Sequence, residues 1–93
     1  MENQINDKKI IVMFKVEGQG IIEVGCQSNN LWNKNIVNNT FIWLFESFVG
    51  DKIMLCAYSN NNVVKLSIII NDEVKELTNI MPHDYKCINY EVI

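Results

Sequence analysis

Arginine is missing from all 93 residues, and the eight positive charges are lysines. Arginine is the usual bidentate reader of phosphate, carboxylate and guanine edges. Without it, and with a net charge of −3, direct contact with nucleic acid is not expected. Long apolar runs are also missing. Nothing approaches the ~20 residues that a membrane-spanning helix needs. Residues 1–9 hold, after Met1, a single apolar residue, Ile5, which is too little for a signal core. No membrane contact is expected. Histidine occurs once, at His83, and the three cysteines, Cys26, Cys56 and Cys87, stand about thirty residues apart. None has C-x-x-C or zinc spacing. The odd count and the weak amino terminus point to a reduced, cytoplasmic setting. Alanine occurs once, at Ala57, while asparagine and isoleucine occur fourteen times each. An AT-rich coding sequence produces that bias, as in a low-GC bacterium or in a phage or mobile element living in one.

What is present bounds the fold. A chain of this length makes one domain, residues 1–93, with residues 1–8 expected to be a flexible terminus. It can bury about 60–65% of its unfolded surface, enough for one small core and too little for a deep enclosed active site. A hydrophobic content of 48% excludes wholesale disorder.

Two stretches alternate as strands. Ile10, Val12, Phe14 and Val16 alternate with more polar neighbours. After Gly18-Gln19-Gly20, so do Ile22, Val24 and Cys26. Folding back at the glycines would set Val16 opposite Ile22, Phe14 opposite Val24 and Lys15 opposite Glu23, which predicts a hairpin over residues 9–28. The same logic around Asn60-Asn61-Asn62 predicts a second hairpin, with strands over residues 52–59 and 63–70 that set Cys56 opposite Leu66 and Met54 opposite Ile68. Asn71-Asp72 reads as a tight turn into a strand over 73–78, with a short helix as the rival. The last strand is expected over 85–93, after the break at Met81-Pro82-His83-Asp84.

Between the hairpins the text changes. Six of the eleven residues from Asn29 to Asn39 are asparagine, which predicts an irregular connection. Residues 40–49 place Phe41, Leu44, Phe45, Phe48 and Val49 on one helical face, with Trp43 and Glu46 on the other. Asn39 or Thr40 can cap the start, and Gly50 can stop the end. The fold class expected is therefore α+β: a five- to six-stranded, mostly antiparallel sheet with one helix on one face, in the order β-β-α-β-β-β-β. Phe14, Phe45 and Leu66 should be almost fully buried.

No constellation specifies a chemistry. His83, Asp84 and Cys87 lack an oxyanion hole and sit near a turn. Cys26 and Cys56 fall on expected core faces, where cysteine acts as a small hydrophobe. Gly18-Gln19-Gly20 precedes no helix and is no phosphate loop. Asp72, Glu73 and Glu76 read as a solvated turn. No catalytic residue, cofactor or metal is expected. What remains is a small non-enzymatic module that binds another protein, such as a phage or mobile-element inhibitor of a host defence enzyme (a CRISPR nuclease is one target of that kind). The anchors expected are Leu31, Trp32 and Asn35 in the connection and Trp43 and Glu46 on the helix, because Trp and Tyr lead at hot spots once arginine is gone. Two alternatives stand beside it. One is a structural subunit or self-assembling protein, including a homodimer through a strand edge. The other is a weak enzyme or nucleotide-binding domain around His83 and Cys87.

Overall fold

The computed structural model describes residues 9–28 and 31–93, with the side chain of Leu31 outside the described set. The flexible terminus expected for residues 1–8 lies outside it too. Eight strands follow one another: β1 (Lys9–Glu17), β2 (Ile21–Ser28), β3 (Leu31–Asn38), β4 (Phe41–Phe48), β5 (Lys52–Ser59), β6 (Val64–Ile70), β7 (Glu73–Ile80) and β8 (Tyr85–Glu91). They form two four-stranded antiparallel sheets, β4-β1-β6-β7 (sheet A) and β3-β2-β5-β8 (sheet B). One core lies between the sheets. Val12, Phe14, Val16, Leu66 and Ile68 fill it from sheet A, and Ile22, Val24, Leu55 and Ala57 fill it from sheet B.

The α+β class is overturned: among the described residues there is no helix. Residues 41–48 form β4, paired along their whole length with β1, and the asparagine-rich connection forms β3. The reason is packing. On a strand, Phe41, Trp43 and Phe45 share the inner face, opposite Val16, Phe14 and Val12. β-branched and aromatic residues gain from that pleated surface what a helix would deny them.

Both expected hairpins are overturned as well. The strands are real, but β1 and β2 lie in different sheets, as do β5 and β6. Lys15 pairs with Ile42 and Ser67, and Glu23 pairs with Ile36 and Tyr58, so the two never meet. Alternation says which residues face the core. It does not say whether the next strand pairs alongside or packs across that core. Even Cys56 changes sides: the inner residues of β5 are Ile53, Leu55, Ala57 and Ser59, and Cys56 faces outward with Met54 and Tyr58. Phe14 and Leu66 are fully buried as expected, while Phe45 is only partly so. The hairpin at Asn71-Asp72 holds. Both residues have positive φ, 53° and 63°, the pair of left-handed residues that a type I′ turn requires.

All four crossings between the sheets at one end (residues 18–20, 39–40, 60–63 and 81–84) are laced together. The Asn39 N–H donates to Gly20 O at 2.9 Å, and Asn62 Nδ2 donates to Gln19 O at 3.0 Å. The His83 N–H donates to Ser59 O at 2.7 Å. Gly18 is required there, because a Cβ would stand 2.8 Å from Val64 Cγ2.

Candidate functional site

Gly25 interrupts the outward-facing positions of β2, between Glu23 and Gln27. A Cβ at this position would stand 2.5 Å from Cζ2 of Trp32. The indole of Trp32 therefore lies on the bare backbone of β2, reaching diagonally across from β3, where Trp32 pairs with Gln27. A glycine inside a strand marks such an approach. Trp32 remains half-exposed (50%) despite that contact.

The rest of the site follows from register. Gly25 pairs with Cys56, and Cys56 pairs with Cys87. Those two cysteines are joined by a disulfide across β5 and β8. One row along, Glu23 pairs with Tyr58 and Tyr58 with Tyr85. Together they bound an open groove of about 350 Å³ on the outer face of sheet B. Its floor is Gly25 and the buried Cys56, and its walls are Trp32, Tyr58 and Tyr85. Glu23 and Lys34 sit at the rim, 4.0 Å apart. The Tyr85 hydroxyl donates to Sγ of Cys87 at 3.4 Å.

The cysteines that bound the groove offer no free thiol. Cys87 carries no thiol, because its sulfur is spent in the disulfide. Cys26, the remaining cysteine, lies in the core, where burial pushes its thiol up to about 11 and keeps it protonated and unreactive. His83 sits exposed in the β7–β8 turn, in a left-handed conformation (φ 65°). No group of three or more His, Cys, Asp or Glu among the described residues could hold a metal ion. No helix among them is long and apolar enough to cross a membrane.

The structure scatters the expected anchors. Trp32 is the one that lines the groove. The backbone of Leu31 opens β3. Asn35 pairs with Val24, which puts it on the other face of β3, and its Oδ1 accepts the Ile36 N–H at 2.9 Å. Trp43 is turned toward the core of sheet A and packs edge-on against Phe41, with centroids 5.6 Å apart. Its expected place on an outer surface is thereby corrected. Glu46 stands on the outer face of sheet A, 3.5 Å from Lys9. Tyr58, Tyr85 and Gly25 were missed. Gly25 was the available signal, an isolated glycine inside an alternating strand.

Neither a known family model nor a curated protein matches this chain.

Proposed function

We propose that this chain is a non-enzymatic binding module that engages another protein through the outer face of sheet B. The observation that carries the reading is the seating of Trp32 on Gly25, beside Tyr58 and Tyr85. These are large, amphipathic side chains held in place before binding, so little rotamer entropy is lost on contact. Tryptophan and tyrosine are also the residue types that dominate hot spots. The groove is shallow and open, which suits a protruding side chain or loop of a partner better than an enclosed small molecule. The inhibitor role rests on the small size, the motif-free sequence and the low-GC composition.

The test is partner capture followed by affinity measurement on paired variants. Trp32→Ala should weaken binding by at least ~2 kcal/mol, about thirty-fold, and leave the melting temperature within a few degrees. Trp43→Ala should do the reverse. Unchanged affinity in folded Trp32→Ala would remove sheet B as the working surface.

A further inference from the structure

Four strands form the edges of this sandwich, and three of them are guarded. On β3, the Ile36 N–H is spent on Asn35, and Lys34 stands beside it. On β8, the Tyr85 N–H is spent on Asp84 Oδ1 at 2.8 Å, and Lys86 follows. On β7, the register shifts opposite Ile68 and Ile69, a bulge that carries the Lys75–Glu73 ion pair. Charges, bulges and capped donors are the devices that stop a sheet edge from recruiting another strand.

The fourth edge, β4, has none of them over its central residues. It reads FIWLFESF, with one charge and no proline, and its register with β1 is unbroken over eight pairs. At its end, the Phe48 N–H donates to Asp51 Oδ2 at 2.8 Å, so Phe48 turns its main chain away from β1. Alternation then turns the N–H and C=O of Glu46, Leu44 and Ile42 to the same free side. Among the described residues, no hydrogen bond reaches them.

We propose that β4 is the docking edge for a second copy of this chain, paired antiparallel about a two-fold axis at Leu44. Self-complementarity argues for that occupant. With Leu44 opposite Leu44 of the second copy, Ile42 meets Glu46 in both directions, and every free main-chain group from 42 to 46 finds a partner. No carboxylate faces another, and Lys9 already neutralises Glu46. On the inner face, Trp43 comes opposite Phe45 of the second copy, an aromatic cross-strand pair that covers two partly buried rings. On the outer face, Leu44, Met13, Ile69 and Val74 form one apolar row across sheet A. The two-fold extends that row unbroken through both copies. A seam of seven residues, 41–47, is roughly 24 Å long. That falls at the small end of stable interfaces, so the dimer is concentration-dependent. This proposal stands independently of the sheet B groove.

Sedimentation velocity over a concentration series tests it. The wild-type chain should pass from monomer to dimer. Leu44→Lys, at a position 59% exposed in the monomer, should keep its thermal melt and raise the dimer dissociation constant at least about tenfold. Leu44→Cys should cross-link to itself under mild oxidation, since facing residues of a hydrogen-bonded pair lie ~5.5 Å apart. Val74→Cys, on the opposite edge, should not. A wild-type chain monomeric to about 1 mM, a dimer untouched by Leu44→Lys, or cross-linking through Val74 instead would each overturn the proposal.

Discussion

Along one long side of the sandwich, β7 and β8 lie against each other and bury Ile80 completely. Along the other, β3 and β4 stand apart, and Phe41, Trp43 and Phe45 stay partly exposed. Hydrophobicity of the strand itself does not explain the contrast. The sequence of β4 is far more apolar than that of β7. What differs is the strand across the core. β8 sends Ile88 and Tyr90 inward, and Val92 follows just past its end, whereas the inward positions of β3 opposite Cys26 and Val24 hold Asn33 and Asn35. A strand is buried by what its facing sheet supplies, and asparagine supplies no apolar cover. Of the two strands on the open side, β3 has its Ile36 N–H capped by Asn35, and β4 has no such cap over residues 42–46.

The contrast can be broken most directly by truncation. Ile80→Ala on the closed side should cost about 2–5 kcal/mol, since a fully buried side chain leaves a cavity. Trp43→Ala on the open side should cost less, about 1–2.5 kcal/mol, although it removes far more atoms. Chemical denaturation at concentrations too low for pairing measures both. Equal losses, or a larger one at Trp43, would mean that the two sides are closed alike.

Next in size is the disulfide, which ties β8 to β5 and has no counterpart on β3. Reducing it should lower stability by about 2–4 kcal/mol, because it closes a loop spanning 31 residues. Denaturant midpoints with and without reductant measure the loss. An unchanged midpoint would leave the closed side held by packing alone.

The smallest effect concerns Cys26, a core residue of β2, one strand in from β3 on the open side. Its thiol is raised from 9.0 to about 11 by burial. Below pH 9 the folded and unfolded chains both keep the proton. Between about pH 9 and 11 the unfolded chain loses it first, so stability falls as pH rises through that window. Cys26→Ala should lack that component of the slope. Identical alkaline profiles for the two proteins would place the thiol in a wetter site than the fold indicates.

Much of the strand content was legible in the residues. β5 was read at its full length, β6 within one residue, and the Asn71-Asp72 turn in place, because period-two alternation and left-handed asparagine are local physics. The site was less legible. Trp32 was identified as an anchor by its chemistry alone. Trp43, chosen on the same ground, turned out to face the core, because its helical position was wrong. Tyr58 and Tyr85 gave no signal, since nothing local brings residues 27 apart in the chain to adjacent positions.

By itself, then, the sequence determined the alternation, the Asn71-Asp72 turn and the inward residues of β1, β2 and β6. Those follow from short-range sterics. Only the tertiary structure decided that consecutive strands part into opposite sheets, that residues 41–48 extend rather than coil, and that Gly25 makes room for Trp32. Each of these depends on which distant strand lies alongside, and side-chain alternation is the same whether a neighbour pairs at ~4.8 Å or packs across the core at ~10 Å.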